Sequence, residues 1–496
     1  MEALRNSDQC VQQALEFSFQ RLDDEEKKAF ISLSVFKGNF QRNSAKEIIK
    51  KSMLKTDNFL ESLVRRSLVQ KTNDRRFVIH LLIRRFLADH DQFQEEKAMA
   101  QDLMARYFLE VCNSLTMNCY TLNGFSNARE ELKKDIHNVE EALKICSQDQ
   151  ATNANILQLL SSSDLYNVSS RLFYDISMDL LSVTVLRNFF ECCINLAESQ
   201  NKPSISIRFQ CLVADQESRK SGWNSLEYSE RMEDIKAAFY KNKAALREDR
   251  ALFMFSYHLF ARYDLDKQTS APTTDPQEDD MLPLLDDKEA STAEKVAEAH
   301  ILMERGNLNK KRANVFRSDK EKCDEYMNSA KLFYDKALSL SKDVLGDHEL
   351  TCSLNKLLGD LFLNLRENEE ALRYYTDAVN LRKTMKLDSK EAFVFLLKNC
   401  GACLAYLCRF DESVKRLEEA RDIADKLDEK NTPCRALVYY QLAITYSKGE
   451  IDCQEAVKYA KMAMEMHKIH KLLGSRQVKD LKTIIEKAEP EENVAL

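Results

Sequence analysis

In the C-terminal part of the chain Ala337, Ala378, Ala420 and Ala463 recur at spacings of 41, 42 and 43 residues. Seven residues before each stands another small side chain, Ala330, Ala371, Ser413 or Ala456. Gly359, Gly401 and Ala443 keep the same interval, at 42 and 42 residues. Small residues at fixed helical offsets let two antiparallel helices approach closely, and Tyr334, Tyr375 and Leu417 are placed to fill the gap between successive pairs. A unit of this length that cannot bury its apolar face alone must stack on its neighbours, so the recurrence predicts a solenoid of helix pairs.

The rest of the composition agrees. Nine glycines and six prolines in 496 residues leave little turn chemistry for extensive sheet, so an all-α fold is expected. A net charge of -7, from 73 basic and 80 acidic residues, gives no global attraction to nucleic acid or membrane. No run of about 18 apolar residues is present to cross a membrane, and the N-terminus lacks a basic-then-apolar leader, so a cytoplasmic protein is expected. Fourteen cysteines, among them Cys192, Cys193, Cys352 and Cys408, fall inside apolar helical patterns and are read as free thiols in a reducing compartment.

The stretch LLGDLFLNLRENEEALRYYTDAVNL, residues 357–381, resembles a tetratricopeptide repeat, with Leu358, Gly359, Phe362, Ala371, Tyr375 and Ala378 on that family's characteristic positions. The 42-residue period and the connection KDVLGDHELT resemble the long-helix version seen in kinesin light chains. Cys400 and Leu404 in the third unit and Ala460 in the fourth depart from the pattern, and the opening helix of the first unit does not align with it. SRQVKDLKTIIEKAEPEE has the polar outer face of a capping helix. The resemblance implies a groove lined by the first helix of each pair. It places Ser353, Lys356, Asp360 and Asn364 on that groove, then Phe395, Lys398 and Tyr406, then Leu437, Tyr440, Ile444 and Lys448. Lysines beside aromatic rings suit a peptide carrying acidic and apolar residues.

At the other end of the chain, Asp23 with Glu26 and Ser44 with Glu47 have the spacing of capping boxes, and Thr56 is placed to cap a third helix. LVQK and RFVI flank the turn TNDR as an antiparallel ribbon. LEFSFQRLDDEEKKAFISLSVFKGNF, FLESLVRRSLVQ and RRFVIHLLIRRFL together resemble the winged-helix module of STAND or NB-ARC ATPases. His80 falls on the histidine of that family's Met-His-Asp motif, but Ile79 and Leu81 replace its neighbours. The resemblance makes His80 a vestigial nucleotide sensor. The glycines never form GxxxxGK[ST] or GxGxxG, so no phosphate cradle is expected in this chain and His80 is expected to pack or cap a helix. Arg65, Arg66, Lys71, Arg84 and Arg85 make the module locally basic. Arg75 and Arg76 on the ribbon could meet phosphates or a neighbouring domain, yet the candidate recognition helix shows few side chains that read base edges, which argues against nucleic acid.

Residues 1–92 are therefore read as a winged-helix domain and 93–265 as degenerate helical repeats. Residues 266–292 are read as an acidic disordered linker and 293–488 as the repeat array with its cap. Within the linker, DDMLPLLDD, residues 279–287, has the form of a short binding motif matched to the groove in charge and apolarity, able to occupy it in cis. Cys400 and Cys403 form a CxxC within a helix pattern, where redox activity is not expected. His467 and His470 lack further ligands nearby. No nucleophile, metal or cofactor motif appears, so no enzyme is expected. Three readings remain: a non-catalytic signalling scaffold whose groove binds partner peptides, a C-terminal fragment of a STAND ATPase whose winged helix docks on a nucleotide-binding domain, and a winged-helix DNA-binding regulator.

Overall fold

The computed structural model describes residues 12–148, 177, 180–221, 226–246, 252–254, 256, 259–260, 263, 290–387, 391–427, 432–471 and 473–488. Trp223, most of the expected linker and the segment 279–287 lie outside the described residues. The chain divides into two compact units, residues 1–121 with 127–267, and residues 122–126 with 268–496. Both are almost entirely helical.

After a helical stretch over residues 12–20, the first unit continues with α1 (Asp24–Leu33), α2 (Arg42–Ile49) and α3 (Met53–Arg65). At α1 the expected capping box is present: Glu26 N donates to Asp23 Oδ1 at 2.7 Å and Asp23 N to Glu26 Oε2 at 3.2 Å. The other two helices start earlier than expected. Gln41 precedes α2 and donates its N–H to Ser44 Oγ, while Ser52 caps α3 and leaves Thr56 fully buried inside the helix, its hydroxyl donating to Ser52 O at 3.0 Å. Ser and Thr satisfy themselves on a carbonyl one turn back as readily as at a cap, so spacing alone mislocates such starts.

A two-stranded antiparallel ribbon follows, β1 (Gln70–Lys71) and β2 (Phe77–Val78), with Gln70 opposite Val78 and Lys71 opposite Phe77. Its turn is closed by Thr72 N on Arg76 O at 2.8 Å, with Arg75 in the left-handed region at φ 60°. Phe40 bridges to Phe77 and stacks on Phe36, tying the ribbon to the helices through a buried aromatic row. After α4 (Leu81–Ala88) come α5 (Gln94–Cys119) and α6 (Gly124–Gln148), then α7 (Val183–Ser199), α8 (Pro203–Ser221) and α9 (Leu226–Lys241). A buried charge cluster joins the last three: Glu217 accepts from Arg187 at 2.6 Å and from Arg231 at 2.9 Å.

Among its described residues the second unit contains four helix pairs and a closing helix. The pairs are α10 (Thr292–Val315) with α11 (Lys320–Val344), α12 (Glu349–Asn364) with α13 (Asn368–Thr384), α14 (Glu391–Tyr406) with α15 (Phe410–Ala424), and α16 (Thr432–Lys448) with α17 (Cys453–His470); α18 (Ser475–Ala488) packs on the last. In every pair the recurring alanines are buried, as are Tyr334, Tyr375 and Leu417. A Cβ on Gly359 would sit 2.8 Å from the Tyr375 ring, and one on Gly306 would sit 2.4 Å from Tyr334, so only glycine permits these crossings.

Gly306 also marks the opening helix of the first repeat, which the spacing alone did not align. It lies 28 residues before Tyr334, whereas Gly359 lies 16 before Tyr375 and Gly401 16 before Leu417. Both helices of the first pair are extended at their shared turn, which breaks the period while preserving the packing. Cys352, Cys400 and Cys403 are buried, but Cys408, expected within a helix pattern, is exposed in the turn after α14 at φ 60°.

Candidate functional site

The first helices of successive pairs bring lysines from three repeats around one carboxylate. Asp360, on α12, accepts from Lys356 Nζ one turn earlier at 2.7 Å and from the Tyr375 hydroxyl of α13 at 2.5 Å. Lys310 from α10 and Lys398 from α14 face the same carboxylate and also face Lys356. Burial lowers the pKa of both amines below the ordinary lysine value; the Asp360 charge opposes that shift and the Lys356 charge adds to it. Among the described residues neither Lys310 nor Lys398 makes a hydrogen bond or ion pair. Three cations thus share one anion in a half-buried hollow.

Asp360 is fixed from within the fold. Burial, then the adjacent Asp360 carboxylate, raises the pKa of the Tyr375 hydroxyl, which therefore stays protonated as a donor. The first pair repeats the device with a neutral acceptor, Tyr334 donating to Asn307 Oδ1 at 2.7 Å. In the first two pairs the position after the close-approach glycine is thus an acceptor held by the tyrosine of the second helix.

Beyond the hollow the same face becomes aromatic. Tyr406, at the end of α14, is 57% exposed, and Lys448 Nζ lies 5.7 Å from its ring centroid. Tyr440 of α16 donates to Asp480 Oδ2 of α18 at 3.0 Å, while Ile444, one turn further along α16, is half-buried. Asn364 lies exposed at the end of α12. The structure therefore groups Lys356 with Lys398, and Tyr406 with Tyr440 and Lys448. Lys310 escaped the sequence reading because a fixed 42-residue period cannot reach it; even with Gly306 aligned on Gly359, the offset of Lys356 falls on Met303, and Lys310 lies four residues after the glycine.

The N-terminal candidates fare differently. His80 is exposed at the N-cap of α4, where its Nδ1 accepts from Leu82 N at 3.3 Å. Arg75 is exposed at the ribbon turn. Arg76 corrects the expectation that it is available for docking. Only 3% exposed, it donates to Asn39 Oδ1 at 2.8 Å, to Asn39 O and to Asp135. Its charge is used inside the fold. Cys400 and Cys403 are buried in α14, their thiols pushed up to about 12 by burial, and His467 Nδ1 accepts from Leu473 N at 3.0 Å as a local cap.

Residues 394–469 match the tetratricopeptide repeat family, covering the third and fourth helix pairs. No curated protein matches the sequence. Among solved structures, the chain is similar to a signal transduction ATPase with numerous domains (STAND) with a tetratricopeptide repeat sensor from Pyrococcus horikoshii, at 15% identity and a TM-score of 0.40. That match covers 94% of this chain and 66% of the other, so the chain spans just under two thirds of the archaeal protein's length. BtubC (BKLC) from P. vanneervenii matches at 14% identity and a TM-score of 0.33, over 59% of this chain and 92% of that one. A Podospora anserina chain named for kinesin light chain, with nearly identical TPR-like repeats, matches at 13% identity and a TM-score of 0.27, over 58% and 99%. Among the described residues no helix is long and apolar enough to cross a membrane.

Proposed function

We propose that this protein is a non-catalytic scaffold of intracellular signalling in the cytoplasm, whose repeat groove binds acidic and apolar peptide segments of partner proteins. The observation that carries the reading is the pair Lys310 and Lys398, two half-buried ammonium groups without an ion partner among the described residues. Holding uncompensated charge away from water costs free energy that an incoming carboxylate recovers. Aromatic surface at Tyr406 and Tyr440 supplies contact area at low entropy cost. The chain's own segment DDMLPLLDD, residues 279–287, has the required chemistry and serves both as a ligand in cis and as the probe. Fluorescence anisotropy of a labelled DDMLPLLDD peptide with the full chain should show saturable binding that is lost in Lys356→Glu with Lys398→Glu. Unchanged affinity in the double variant would reject the groove.

A second reading concerns the N-terminal helices and ribbon, proposed as a winged helix on the basis of their order. Leu81 and Leu82, beside His80, are 50% and 45% exposed, which favours a face that docks on a nucleotide-binding domain supplied by a longer form of this protein or by a partner. Size-exclusion of the chain with such a domain, with and without Leu82→Glu, tests that docking. The burial of Arg76 removes the main support for a DNA-binding reading.

A further inference from the structure

The two chemistries of the groove are separated by a fixed length of one helix. Lys398 and Tyr406 both belong to α14 and stand eight residues apart. At about 1.5 Å of rise per residue their backbones lie roughly 12 Å apart. An extended peptide covers about 3.3 Å per residue, so the same distance corresponds to three or four residues of ligand.

Each end of that interval has its own character. At one end Lys310, Lys356 and Lys398 outnumber Asp360, leaving a net positive hollow that an apolar side chain would only desolvate further. At the other end Tyr406 is already covered on one face by the Lys448 amine, and the Tyr440 hydroxyl is engaged by Asp480. Lys448 and Arg476 are exposed there and their charges stay solvated, so ring surface is what a ligand can take out of water. A carboxylate placed there would form only a solvent-exposed ion pair with Lys448 or Arg476, which adds little, whereas a branched apolar side chain would bury area against both tyrosines.

From this arrangement, and resting on the peptide-binding reading above, we infer that the groove is a two-point reader. It selects peptides in which an acidic residue seated between Lys310, Lys356 and Lys398 is followed or preceded, three or four positions away, by a bulky apolar residue seated on Tyr406 and Tyr440. The spacing is a specificity element in its own right. A peptide with the same composition at another spacing can satisfy only one end at a time, and the second contact then adds nothing to affinity.

The test is a peptide series against the full chain by isothermal titration calorimetry: two aspartates and one leucine joined by zero to seven serines, otherwise identical. Affinity should peak where Asp and Leu stand three or four apart and fall by roughly tenfold on either side, the loss of one buried anchor contact. Double-mutant cycles assign the ends. Lys398→Met should couple with Asp→Asn in the peptide, and Tyr406→Ala with Leu→Ala, each by at least about threefold, while the crossed pairs should be additive. Both protein positions are at least partly solvent-accessible, so neither variant threatens folding. Binding that ignores the spacing, or coupling in the crossed pairs, would overturn the two-point inference while leaving peptide binding in place. No binding by any peptide would reject the peptide-binding reading and the inference with it.

Discussion

Asp360 offers a perturbation whose effects on stability and on binding should run in opposite directions. Its carboxylate accepts from the buried Tyr375 hydroxyl and from Lys356, and it faces Lys310 and Lys398. Asp360→Ala leaves the Tyr375 hydroxyl without its acceptor. A hydrogen bond to a charged group contributes about 1.5–3 kcal/mol, so α12 and α13 should lose about 2–3 kcal/mol of local stability. Asp360→Asn keeps an acceptor in the same place, the arrangement that Asn307 and Tyr334 already use, and should cost about 1 kcal/mol. Hydrogen exchange of the α12 and α13 amides, read by mass spectrometry, reports this locally where a whole-chain melt would mix two units. Exchange should rise by roughly 30- to 150-fold in Asp360→Ala and about fivefold in Asp360→Asn. Asp360→Asn also removes the carboxylate that faces the three amines, so its affinity for the DDMLPLLDD peptide should increase, by about three- to tenfold at low salt. Equal exchange in the two variants, or weaker peptide binding by Asp360→Asn, would refute the account of this carboxylate as both anchor and competitor.

Further outcomes are expected elsewhere. Gly359→Ala drives a methyl into the Tyr375 ring and should destabilise the second helix pair by about 1–3 kcal/mol, visible as faster exchange in α12. Arg76→Met strands the half-buried Asp135 carboxylate and should cost about 3 kcal/mol, measured by urea unfolding of the first unit followed by circular dichroism. The amines of Lys310 and Lys398 have folded pKa values below the ordinary 10.5, so they lose their protons early as pH rises. Acidic-peptide affinity should therefore fall at pH values where surface lysines remain charged, while the repeat unit gains stability as pH rises from the lowered folded values toward 10.5. Iodoacetamide on the native chain should label Cys408 and Cys453 well before Cys400 and Cys403, whose thiols are buried and pushed up to about 12.

Some of this was written in spacing alone. Tyr375 meets Gly359 because both lie in one helix pair joined by a short turn, and the alanines at 378, 420 and 463 are buried for the same reason. Within a hairpin, residue separation fixes which side chains meet, so the recurrence was sufficient to determine the solenoid. It also placed Lys356 and Lys398 at equal offsets before Gly359 and Gly401.

Contacts between elements were not legible in this way. Lys310 reaches the hollow only because the lengthened first hairpin presents a different helical position to Asp360, and no offset within α10 shows that. Arg76 looks in sequence like its exposed neighbour Arg75; the positive φ at Arg75 turns the ribbon, and Arg76 enters the fold toward Asn39 and Asp135, residues 37 and 59 positions away. Thr56 has the composition of a cap and is a buried helix residue because Ser52 begins the helix first. Local periodicity determines which face of a helix is apolar, whereas the partner of a charge is set by the stacking of separate elements. The sequence by itself thus determined the helical solenoid, and the tertiary structure decided which of its charges are paired within the fold.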